Sequence, residues 1–241
     1  APSDPFRITT SNRIERDHPD TLPGDVSTGS FERTDIEGSF SLQWSGTTDG
    51  RSWNIGFVIH KYAYSRMSNE PRGRDYDEYV AVAQNTGFAE ELAGYVNTEL
   101  EASGFTSEYY KSAAVIDWVQ SFPYVTDDVY DGYDEYPKFP VETLVDVGGD
   151  CEDTSILLAS LFQSQPFNYD MVLIGPPGHM AAGIYSEDRQ GATTHMRVEI
   201  TTILKQQAPG GESEICLTTM LTHQRRFTRS ESVADRVTIS S

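Results

Sequence analysis

The chain has 241 residues, 37% of them hydrophobic and 11% aromatic, enough to bury one substantial core, and it has no run of 18 apolar residues that would cross a membrane as a helix. Its 37 Asp and Glu against 18 Lys and Arg give a formal net charge of -19, which excludes nucleic acid as a partner because phosphate binding needs a basic surface. Such an excess of carboxylates with few lysines is also the composition of a protein kept soluble in concentrated salt.

Taken in chain order, residues 1–38 are polar and rich in Asp, Ser, Thr and Pro, without helical or strand periodicity, and read as an arm or linker. From Phe40 the pattern alternates: Phe40, Leu42 and Trp44, then Trp53, Ile55, Phe57 and Ile59 after the turn-rich stretch from Gly46 to Gly50, which predicts a β-hairpin with one apolar face. Residues 61–86 give no clear pattern. Phe88, Leu92, Val96 and Leu100 recur every four residues before Gly104, and Tyr110, Ala114, Trp118 and Phe122 do the same before Pro123, which predicts two amphipathic helices. Residues 124–140 are acidic, rich in Tyr and Pro, and irregular. Gly148, Gly149 and Asp150 then break and cap the chain, so a buried helix is expected to begin at Cys151. Met171 to Ile174 reads as a short buried strand, and a second strand over Met180 to Tyr185 opens with His179.

Two cysteines, Cys151 and Cys216, are too few for a disulfide framework and are read separately. A thiol attacks as thiolate, and a helix N-terminus beside an imidazole lowers its pKa, so Cys151 is the candidate nucleophile. The backbone N–H groups around Gly149 and Asp150 are candidate oxyanion donors, the glycines leaving room for a substrate at the sulfur, and Tyr136 is a further candidate donor. His179 is the candidate base, because the other four histidines lie in the polar arm, at a hairpin end or near the C-terminus. Metal binding is disfavoured: Asp150, Cys151, Glu152 and Asp153 are consecutive, and the segment lacks the second Cys or His two to four residues away that a zinc site wants. The acids are expected to cap the helix and favour its N-terminus.

The run Tyr133-Asp-Glu-Tyr-Pro-Lys-Phe-Pro-Val-Glu-Thr-Leu, continuing through Gly149-Asp-Cys-Glu-Asp-Thr and Gly178-His-Met, resembles the transglutaminase-like superfamily in a form found in halophilic archaea, over roughly residues 40–187. The resemblance implies an α+β, papain/transglutaminase-like core: a central nucleophile helix packed on an antiparallel sheet, here with an N-terminal β-hairpin. It implies Cys151 as nucleophile and His179 as general base, an acid on the next strand to orient the imidazole, a protein or peptide substrate and no cofactor. The organisation expected is an arm over 1–38, a transglutaminase-like domain over 39–188 and a distinct tail over 189–241. An extracellular or cell-surface location is expected, and the start at Ala1 rather than Met is compatible with removal of a signal peptide or of an anchor that would be the only link to a membrane.

The tail departs from the family's pattern. Residues 189–241 carry seven basic and five acidic side chains, a reversal of the acidity upstream, and no Trp or Tyr. The aromatic strand ending in an acid that the family places here is missing, but it reappears when the codons are read one base earlier: Thr202 and Ile203 can become Tyr, and Lys205 can become Glu. A shifted reading frame after about Arg189 is therefore one account of the tail, and the coding DNA tests it. In the chain as it stands, Glu199, within Val198-Glu199-Ile200-Thr201, is the nearest substitute for the orienting acid. The alternative to a cysteine amide or peptide hydrolase or acyltransferase is a non-catalytic surface or interaction module with the same fold.

Overall fold

The computed structural model describes residues 23, 26–28, 30–127, 136–175, 179–188, 195–201 and 225–226; for 27–28, 185–188, 195–201 and 225–226 it describes strand backbone alone. Four strands, β1 (Val26–Thr28), β2 (Phe31–Ile36), β3 (Ser39–Thr48) and β4 (Arg51–His60), pair antiparallel in that order. The register sets Phe40 opposite Ile59, Leu42 opposite Phe57 and Trp44 opposite Ile55. Since side chains alternate along a strand, the large apolar residues share one face, and Phe40, Leu42, Trp44, Trp53, Ile55 and Ile59 are all buried. The predicted hairpin is thus the β3–β4 half of a larger sheet. Residues 26–36 belong to that sheet and not to a polar arm. β2 escapes an alternation reading because one of its two buried inward positions is Arg33, whose guanidinium donates to the carbonyl of Val145.

Helices α1 (Lys61–Ser68) and α2 (Tyr76–Asn85) occupy the stretch whose pattern was unclear, and α3 (Phe88–Ala102) and α4 (Glu108–Gln120) fall where the four-residue repeats predict them. Trp44 on β3 meets Trp118 of α4 edge to face at 5.4 Å and stacks on Phe122, just beyond α4, at 5.5 Å. This aromatic cluster seats α4 on the first sheet. A short helix, α5 (Pro140–Asp146), precedes α6 (Cys151–Gln163). Every residue of α6 from Glu152 to Phe162 is buried, and the helix packs against α2, α3, α4 and α5 and against the second sheet. That sheet comprises β5 (Met171–Ile174), β6 (Ala181–Asp188), β7 (His195–Thr201) and β8 (Arg225–Arg226), antiparallel in chain order. The chain is therefore a mixed α+β protein in which a central helix lies against antiparallel strands. The strand expected over Val198 to Thr201 is part of β7, while Cys216 and the remainder of the tail lie outside the described residues. Among the described residues no helix is long and apolar enough to cross a membrane.

Candidate active site

The start of α6 is built on a backbone crossing. Val125 N–H donates to Gly149 O at 3.0 Å, Gly149 N–H donates to Pro123 O at 3.4 Å, and Tyr124 and Gly149 form a parallel bridge. The chain leaving α4 is thereby fastened alongside the two residues that precede Cys151. The crossing explains both glycines. A Cβ on Gly148, whose φ is +149°, would stand 2.7 Å from Pro123 O, and one on Gly149 would stand 2.5 Å from the Cβ of Asp153. The space these glycines leave is filled by the protein's own backbone and by Asp153, not kept open for a substrate. Gly149→Ala is expected to destabilise the fold by about 1–3 kcal/mol through overpacking, read as a lower urea midpoint at unchanged slope.

Asp153 is fully buried, and its carboxylate accepts Lys138 N–H at 2.6 Å and Asp150 N–H at 3.3 Å. The Lys138 ammonium in turn donates to Gly148 O at 3.2 Å. These bonds hold the loop before α6 on both sides. Asp153 thus performs the capping expected of the acids, but burial raises its pKa, and the same cause raises Asp150 to about 9 and Glu152 to about 7. Desolvation outweighs the favourable helix end here.

Cys151 is half-buried and a free thiol. Its S–H donates to Glu152 Oε2 at 3.2 Å. Burial, then the charge and hydrogen bond of Glu152 and the charge of Asp150, push the thiol up to about 12, while the N–H of Met180 at the sulfur acts in the opposite direction. Low solvation and neighbouring carboxylates thus oppose the ionisation expected from the helix N-terminus and favour the neutral thiol. The Met180 contact brings the segment that begins at His179 to the sulfur. Both ring and thiol are half-buried, and the His179 Nε2 atom is shielded from solvent.

A small cleft opens at Cys151, lined also by Val119, Gln120, Phe122, Tyr124, Gly149 and Thr154. Oxygen atoms of Asp150 and Glu152 and the Cys151 sulfur lie within 4.8 Å of one another, close enough to share an ion, but Glu152 already receives the thiol proton and Asp150 heads the helix, and no metal is assigned to them.

The other predicted donors are committed elsewhere. Tyr136 is fully buried; its hydroxyl donates to Glu142 Oε1 at 2.9 Å and accepts from Arg72, so it does not serve the thiol. The Gly149 and Asp150 N–H groups are spent on Pro123 and Asp153. Glu199 is paired with Ile184 across β6 and β7, five residues along from His179, or about 17 Å at strand rise, beyond the reach of a glutamate. Its side chain lies outside the described residues, as does any residue paired with His179 beyond Thr201. The site residue that the sequence reading missed is Tyr124. It sits in the irregular acidic stretch after α4, and only the non-local bridge to Gly149 brings it to the cleft.

No family model, no curated protein and no solved structure matches the chain.

Proposed function

We propose that the chain is a cysteine-dependent amide or peptide hydrolase or acyltransferase of the transglutaminase-like kind, with a papain-like arrangement of α6 against β5 and β6. The observation that carries this reading is the convergence of a free thiol at the first turn of a buried central helix with the segment that starts at His179, through the Met180 N–H on the sulfur. Cys151 adds to a carboxamide carbonyl. The S–C bond forms, the carbonyl π pair moves to oxygen, and the thiol proton passes to His179. Collapse breaks the C–N bond, the amine leaves with the proton returned by His179, and water or a second amine takes the acyl group from the thioester. Since burial and Glu152 favour the neutral thiol, His179 works in this reading as a general base and not as half of a preformed ion pair. An extracellular or cell-surface setting and a protein or peptide substrate belong to the same proposal.

p-Nitrophenyl acetate tests it. Acetylation of Cys151 should release one nitrophenolate per chain, be lost in Cys151→Ala, and slow by about 10²–10⁴-fold in His179→Ala. A burst that survives in Cys151→Ala contradicts the reading. The high thiol pKa favours a second reading, a non-catalytic interaction module, and absence of any burst from the unaltered chain selects it.

A further inference from the structure

A tetrahedral intermediate on Cys151 needs a hydrogen-bond donor aimed at its oxygen. Tyr136, Gly149 N–H and Asp150 N–H are engaged elsewhere, and the Thr154 hydroxyl, which also lines the cleft, donates to Asp150 O at 2.9 Å. Two cleft side chains keep a polar hydrogen to offer, Tyr124 and Gln120. Tyr124 is the better placed. Its backbone is bridged to Gly149, two residues before the nucleophile, and clamped on both sides by the Pro123 and Val125 hydrogen bonds, so its Cα is held beside Cys151 by main chain. Tyr124 is 36% exposed and lines the cleft, and its hydroxyl is uncommitted among the described residues.

The geometry points to Tyr124 as the catalytic oxyanion donor: its phenol O–H donates to the oxygen that becomes negative when Cys151 adds to the substrate carbonyl. The assignment rests on Cys151 being the nucleophile. Burial, and then the charges of Cys151, Asp150, Glu152 and Asp127, raise the Tyr124 hydroxyl to about 12, so it remains a donor at neutral and mildly alkaline pH. The same phenol is a poor general acid, because it would give up its proton only at great cost beside three carboxylates; it acts by hydrogen bonding while the proton moves between Cys151 and His179.

Two reactions of one thiol separate this role from a structural one. Acylation by p-nitrophenyl acetate passes through an oxyanion, whereas alkylation by iodoacetamide does not. Tyr124→Phe is expected to slow acylation by about 10²-fold, in line with loss of one oxyanion-hole donor, while alkylation at pH 9 changes less than about threefold. The alkylation rate also reports whether the variant keeps an intact site. Gln120→Ala is expected to slow acylation far less than Tyr124→Phe does. Unchanged acylation in Tyr124→Phe, a fall in acylation matched by an equal fall in alkylation, or a selective loss in Gln120→Ala instead overturns the assignment. Failure of the unaltered chain to acetylate Cys151 removes the nucleophile itself, a different result from an active thiol indifferent to Tyr124.

Discussion

Replacing Glu152 with glutamine is expected to speed alkylation of Cys151 by iodoacetamide at pH 8 by about tenfold or more. After burial, Glu152 is the largest cause that holds the thiol up, through both its charge and the 3.2 Å hydrogen bond that it accepts from S–H. With the Glu152 carboxyl raised to about 7, it is mostly ionised at pH 8 and opposes a second negative charge beside it. Glutamine keeps the length and the accepting oxygen but not the charge. The sign follows: removing an anion lowers the thiol pKa, so at a fixed pH below it more thiolate is present and the rate rises. Asp150 and Asp153 still face the loop, countered by Lys138, and burial is unchanged, so the thiol is not expected to fall to the acidic values of a thiolate–imidazolium pair. The pH profile of alkylation measures this. A profile in Glu152→Gln that superimposes on that of the unaltered chain means that burial alone sets the pKa.

Glu142→Ala is expected to destabilise the fold by about 3–5 kcal/mol, measured by urea or guanidinium unfolding. Glu142 and Arg72 are 1% and 2% exposed, and the carboxylate receives Arg72 Nη2 at 2.7 Å, the Tyr136 hydroxyl, and the Phe139 N–H at 3.0 Å at the start of α5. The guanidinium also donates to the carbonyls of Met67 and Glu70 and lies over the rings of Tyr136 and Phe139, 4.7 Å from each centroid. Truncating the acid strands a cation in this dry setting, which is far more costly than losing an exposed ion pair. Replacing both partners, Arg72→Met with Glu142→Leu, is expected to cost less than the single change, because neither charge is then left alone. The two acids thus make opposite predictions: Glu142 holds the fold, and Glu152 restrains ionisation of the thiol.

What was legible in the sequence was what short-range periodicity encodes. Leu92, Val96 and Leu100 mark α3, Ala114 and Trp118 mark α4, and the alternation from Phe40 to Ile59 marks β3 and β4. The break at Gly148-Gly149-Asp150 places the start of α6 correctly. Elements whose inward positions are polar were not legible. β2 buries Arg33, α1 buries Ser68 beside Tyr64 and Met67, and the chain between α1 and α2 buries Arg72. At the site, the thiol and the His179 segment could be named from their local settings, but the fate of each donor depends on distant partners. Tyr136 is taken by Arg72, 64 residues earlier, and Tyr124 reaches the cleft by pairing with Gly149, 25 residues later. No local pattern encodes such choices. The surroundings of the thiol were hidden for a related reason: a helix start is visible in sequence, and the burial that opposes ionisation there is not.

The run from Phe122 to Val125 joins the first sheet to the cleft at Cys151. At one end Phe122 is stacked on Trp44 of the first sheet; at the other the main chain is stitched to the residues ahead of Cys151. Trp44 takes no part in the cleft wall, yet through Phe122 the packing of β3 braces the main chain that carries Tyr124.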